Sequence, residues 1–293
     1  MSIDELVRAL GGVVSLDDLR EHGIAREQVV EARMAGLLNS VRRAWVAVPD
    51  AAPELVQAVR MRGQLTCISA TASMGLWTKA DGKLHVAVPG NGSRLNPRVR
   101  GGLAAIDDPS VVLHWRGRTE PGRAMQSLDD ALLHVVECQP PALALAVLDA
   151  SVRRERTTVS ALRGLLGGSE RGRLLRELVD PGAGSGLESI ARYGFRAAGL
   201  RVETQVDLPG FGPRDFRIGE RLWIELDGRE HHTRVADFAR DRRIDREVQR
   251  RDEIMLRFAY EDVMERWPDT LATVLEIVRD DRHRRRAPRP ADA

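Results

Sequence analysis

The stretch Arg214-Asp215-Phe216-Arg217-Ile218, then Gly219-Glu220-Arg221, then Leu222-Trp223-Ile224-Glu225-Leu226-Asp227-Gly228, decides how the chain is read. Side chains alternate along a strand, so Phe216 and Ile218 share one face, as do Leu222, Ile224 and Leu226. A three-residue loop at 219–221 pairs Ile218 with Leu222 and Phe216 with Ile224, and buries all five. The same register sets Asp215 opposite Glu225, with Asp227 next on that face. A two-residue loop would put Asp215 beside Ile224, which the burial pattern opposes. Carboxylates ~5 Å apart repel by about 3 kcal/mol per pair at an effective dielectric near 20. A raised pKa, an arginine or a bound cation must offset that cost. Hard oxygen donors in this number suit Mg²⁺ or Mn²⁺. The pattern equally fits a solvated polar face neutralised by Arg214, Arg217 and Arg229.

The surrounding chain sets bounds. At 293 residues it can form two or three domains with their own cores. A net charge of +2 gives no global pull toward nucleic acid, so any such binding must come from local patches. Lysine occurs only at Lys79 and Lys83, so none is available near the hairpin. The cysteines, Cys67 and Cys138, stand far apart and outside any CxxC, which excludes a Cys-rich zinc site and suggests a reducing compartment. The acidic start and the lack of a long apolar run predict a cytoplasmic protein with no membrane partner.

Residues 1–50 read as a winged helix-turn-helix. Ile3, Leu6, Val7 and Leu10 have helical spacing, and Gly11-Gly12 stops that helix. Ser15 caps a second helix. Arg26 to Met34 form a third, with Val29, Val30 and Leu37 expected inside. Leu38 to Val48 alternate like a wing hairpin. This segment resembles the N-terminal domain of AbiEi-type antitoxins. In such a fold the third helix enters the major groove and the wing meets phosphates, which makes Arg26, Arg33, Arg42 and Arg43 the candidate DNA contacts. Acidic residues on the first three helices (Asp4, Glu5, Asp17, Asp18, Glu21, Glu27, Glu31) favour a protein-binding surface instead.

Residues 51–155 read as a scaffold, similar to the region that follows the winged helix in AbiEi-like proteins. Helices are expected over 65–77, 128–136 and 142–153, with strands at 84–89 and 111–115. His85, His114 and His134 lie in unrelated local settings and read as structural histidines, not as a metal cluster. Residues 156–184 form an arginine-rich helical connector that ends in the linker Asp180-Pro181-Gly182-Ala183-Gly184. Ser185 to Glu188 read as a capping box. The tail 281–293 is basic and is expected to be disordered.

From residue 185 to 280 the order is helix, three strands, helix, strand, the core of the PD-(D/E)xK nuclease fold. Ser185 with Leu187-Glu188, Asp215, Ile224-Glu225 with Asp227-Gly228, His232, Phe238 with Asp241-Arg242 and Asp245, Leu256-Arg257-Phe258 and Asp262-Val263 resemble a bacterial family related to very-short-patch-repair endonucleases. The resemblance implies an α/β (α+β) chain that hydrolyses phosphodiesters with Mg²⁺ or Mn²⁺. Asp215 and Glu225 would be the metal pair. Asp227 stands where the superfamily usually has lysine, and His232 is the general acid or base. Glu188, Asp241 and Arg242 would support the ligands or touch phosphate. Asp252-Glu253 and Ile244 depart from the family's usual Gly-Trp and arginine. The alternatives are a non-catalytic antitoxin-like regulator of transcription and a protein that binds a toxin-like partner.

Overall fold

A computed structural model describes residues 1–89, 108–115, 122–228 and 235–285, with 235–241 described by backbone alone. The chain is mixed α+β with several small sheets, in two compact units, Met1–Gln139 and Pro140–Ala293. Among the described residues no helix is long and apolar enough to cross a membrane.

The first unit opens with α1 (Ile3–Ala9), β1 (Val13–Ser15), α2 (Leu16–Glu21), α3 (Arg26–Met34), β2 (Asn39–Arg42) and β3 (Trp45–Ala47). Ser2 and Glu5 form a reciprocal capping box on α1, and Ser15 Oγ accepts from Asp18 N at 3.0 Å to start α2. The strands pair in the order β1-β3-β2 over a core that includes Leu6, Val7, Leu19, Val29, Leu38 and Val46. Val29 points inward as its spacing predicts. Val30 and Leu37 do not: both are exposed, and Met34 between them is 77% exposed, so α3 and the turn after it show apolar side chains outward.

The unit continues with α4 (Pro53–Arg60), β4 (Gln64–Leu65), α5 (Cys67–Ser73), β5 (Leu84–Ala87), β6 (Val111–His114) and α6 (Leu128–Cys138). β4 runs antiparallel to β5, and β5 parallel to β6. Leu65, expected to be helical, is in β4. Thr66 then begins α5 without a side-chain cap, because its hydroxyl is used by Gln126 and His134.

The second unit comprises α7 (Pro141–Arg153), α8 (Val159–Leu165), α9 (Glu170–Arg176), α10 (Gly186–Ala197), β7 (Val202–Leu208), β8 (Gly212–Ile218), β9 (Leu222–Asp227), α11 (Val235–Arg250), β10 (Ile254–Ala259), α12 (Tyr260–Met264) and α13 (Trp267–Arg279). Its sheet has the order β10-β9-β8-β7, antiparallel except for the parallel β9–β10 pair. The β8–β9 register is the expected one, with Phe216 opposite Ile224 and Ile218 opposite Leu222. Phe216, Ile218, Leu222 and Ile224 are buried, whereas Leu226 is only half-buried. Phe216 meets Phe195 of α10 edge-on with ring centroids 5.9 Å apart. The other face is covered as well: Trp223 packs with Ile244 and Val248 of α11.

Ile244 and Glu253, singled out in the sequence, both serve that packing. Ile244 fills the space over Trp223, and Glu253 Oε2 accepts the Trp223 indole N–H at 2.8 Å. The expected linker is tied down by a buried ion pair. Arg192 of α10 and Asp149 of α7 meet at 2.6 Å with both side chains fully enclosed. Asp149 also accepts from Asp180 N at 2.8 Å, and Arg153 donates to the Ala183 carbonyl at 2.8 Å. The start of the basic tail is docked rather than free: the His283 carbonyl accepts from Glu220 N and Arg221 N on the hairpin turn. The turn at 90–93 and the histidines His231 and His232 lie outside the described residues.

Candidate functional site

The carboxylate face forms where β8 and β9 part. Their ladder ends at the Phe216–Ile224 pair, and the Leu226 N–H then goes to Asp215 Oδ2 at 2.7 Å. On the other side of Asp215, Gln205 of β7 has the left-handed φ of 50° and breaks the β7–β8 pairing. A non-glycine residue held there is strained, and the conformation persists only where the surroundings fix it. Gln205 Nε2 donates to Glu188 Oε2 at 2.9 Å and reaches Asp215 Oδ1 at 3.5 Å. Glu188 enters from the first turn of α10. Ser185 caps that helix by accepting from Glu188 N at 3.1 Å. The Glu188 carboxylate does not close the box on Ser185 but accepts from Gly184 N at 2.8 Å. It is 7% exposed and faces Asp215.

Electrostatics follow from this crowding. Burial pushes the Asp215 carboxyl up to about 7, and the charges of Glu188 and Glu225 add to it. Glu225 is also raised by burial, but Arg214 and then Arg257 pull it back. Arg214, itself buried, donates to Glu225 Oε1 and to the Phe211 carbonyl. Arg257 stands beside Glu225 in the parallel register and bonds Asp245 at 3.1 Å. So Arg214 does neutralise one carboxylate. Arg217 turns away to Glu203 and lies over the Trp223 ring, and Arg229 lies outside the described residues.

Asp227 ends β9 near enough to raise Glu225. Arg242 is exposed on α11, while the side chain of Asp241 lies outside the described residues, as does His232. At the N-terminal unit Arg26, Arg33 and Arg43 are exposed. Arg42 is not: it is half-buried and donates to the Val59 carbonyl at 3.2 Å, anchoring the hairpin to α4. That bond takes up one of its guanidinium N–H groups.

A second constellation was hidden in the sequence. Cys67, His85, His114 and Cys138 present ligand atoms that all lie within 4.8 Å of one another. Among the described residues the carboxylates form no set this tight, because Asp215 and Glu225 each turn an oxygen to a protein donor. The histidines are therefore not in unrelated settings, and two isolated cysteines suffice for a site that can hold a metal ion. The sequence carries no signal for it beyond the residue types.

Compared with known proteins, the chain matches no protein-family model, and a search of curated proteins finds no match.

Proposed function

We propose that the chain is a divalent-cation-dependent endonuclease, with residues 185–280 a PD-(D/E)xK domain and residues 1–50 a DNA-binding winged helix. The observation that carries this reading is the convergence of Glu188, Asp215 and Glu225 at the parting of β8 and β9. The donor set is all hard oxygen, which suits Mg²⁺ or Mn²⁺. Asp215 and Glu225 would hold the ion, with Glu188 alongside. Such an ion, when bound, polarises a phosphate oxygen and acidifies a water.

The rest falls to the chain's own groups. Gln205 and the Leu226 N–H orient the Asp215 carboxylate, and Arg257 offers positive charge to a phosphate beside Glu225. Asp227 occupies the lysine position, so proton transfer needs another group, and His232 is the candidate the sequence supplies. DNA nicking by the purified chain with Mg²⁺ or Mn²⁺ should disappear in Asp215→Ala and Glu225→Ala. Tight DNA binding with no cleavage by the parent under any of these conditions would refute the enzyme.

One observation favours a second reading for the N-terminal module. Val30 and Met34 on α3, with Leu37 just after it, expose apolar side chains where a groove-reading helix would be polar. A toxin-like protein partner suits that stripe better than DNA does. Loss of a co-purifying protein, with DNA affinity unchanged, in Met34→Glu would select it.

A further inference from the structure

We propose that Cys67, His85, His114 and Cys138 form a closed, four-ligand zinc site that fastens the β4-β5-β6 sheet to α5 and α6. The ligands come one from each of four elements. Cys67 is the first residue of α5, and Cys138 the last of α6. His85 lies opposite Val112 in the parallel β5–β6 pair, so His114, two residues on, projects from the same face.

The spacings suit zinc. Zn–N bonds of about 2.0–2.1 Å and Zn–S bonds of about 2.3 Å in a tetrahedron place N···N near 3.3 Å and N···S near 3.6 Å. The structure has His85 Nδ1 3.1 Å from His114 Nε2 and Cys138 Sγ 3.9 Å from His85 Nδ1. Shifts of a few tenths of an ångström would bring these pairs onto a metal. The donor chemistry agrees, since two thiolates and two imidazoles select zinc over the Mg²⁺ suited to the carboxylates.

The outer groups are also those a metal site uses. His85 turns its other nitrogen, Nε2, to Asp81 Oδ2 at 3.1 Å, which fixes Nδ1 as the inward lone pair. Gln139 Nε2 reaches Cys138 Sγ at 3.4 Å and Cys67 Sγ at 3.9 Å. Cys67 is fully buried and holds the left-handed φ of 51°, which turns its sulfur toward the cluster at a backbone cost. With all four positions filled by protein, the site is structural rather than catalytic.

The test uses the full chain, reduced, stripped of metal and titrated with Co²⁺ as the probe, then with Zn²⁺. One equivalent of Co²⁺ should give the intense visible bands of a tetrahedral ion with thiolate charge transfer, and Zn²⁺ should displace it. Cys138→Ser, at the exposed end of the cluster, should roughly halve the thiolate band or weaken zinc affinity at least tenfold while the far-UV spectrum is kept. Asp81→Asn should weaken zinc about 10- to 100-fold. Asp215→Ala should leave the spectrum unchanged, which separates this site from the carboxylates. Absence of stoichiometric tetrahedral Co²⁺ in the folded, reduced parent would overturn the proposal. So would a spectrum that Cys138→Ser and His114→Ala both leave intact, or thiols that only pair as a disulfide and take up no metal when reduced.

Discussion

Replacing Asp215 by Asn should stabilise the metal-free protein, by a margin that grows above pH 3.8 and is full above about pH 7. The folded carboxyl keeps its proton up to about 7, whereas an unfolded chain releases it near 3.8. Below the lower value both states are protonated and the site costs nothing. Between the two values the folded state holds more protons, so stability falls as pH rises; above the upper value the full penalty persists. Each decade of pKa is worth about 1.4 kcal/mol, which sets a ceiling of about 4 kcal/mol. Asp215 is only partly enclosed, and solvent screening around Glu188 and Glu225 cuts that to about 1–2 kcal/mol.

Asn is isosteric and neutral, and its Oδ1 can still accept the Leu226 N–H. Urea unfolding of the full chain in chelator should therefore show Asp215→Asn more stable than the parent by that margin near pH 8, and nearly equal to it near pH 4.5. Addition of Mg²⁺ should stabilise the parent and leave the variant behind, because only the parent can offer the charged ligand. A variant that is equally or less stable near pH 8 would refute the argument that this carboxylate is held against its own charge.

Four other outcomes follow from the same structure. Asp149→Ala leaves Arg192 buried without its carboxylate and should cost about 3–5 kcal/mol in urea unfolding, more than the double replacement Asp149→Leu with Arg192→Met. A Cβ at Gly194 would run into the Trp267 ring, so Gly194→Ala should lower stability by about 1–3 kcal/mol and shift the tryptophan emission. If the N-terminal unit binds DNA, Arg33→Ala or Arg43→Ala should each flatten the salt dependence of affinity by about one phosphate contact. Arg42→Ala should instead lower the melting temperature, since its guanidinium is spent on the Val59 carbonyl.

The hairpin was legible because its information is local. A period of two and one loop length fix the β8–β9 register, and with it the face that carries Asp215 and Glu225. The same logic placed the caps at Ser15 and Ser185, each of which needs only its own first turn. It failed wherever a residue's partner lies on a distant element. Val30 and Leu37 have helical spacing, but α3 is covered on only the Val29 side, and spacing does not say how wide the covered stripe is. The glycine-rich stretch at 180–184 looks like a linker until Asp149 and Arg153 of α7 are seen to hold it.

The two candidate sites differ in the same way. Half of the carboxylate site is written into one hairpin, but two groups that act on Asp215 come from elsewhere: Glu188 of α10, whose charge makes it harder to ionise, and Gln205, a strained residue in β7 whose amide pulls the other way. No period reveals a left-handed Gln205, because the pattern of β7 runs on as though the kink were absent. The Cys/His set is the limiting case: every ligand comes from a different element, so no pair of ligands has a readable spacing. Tertiary packing alone assembles it. Two lone cysteines therefore do not exclude a metal site when the fold supplies imidazoles from adjacent parallel strands, and the sequence rule that looks for CxxC is blind to that arrangement.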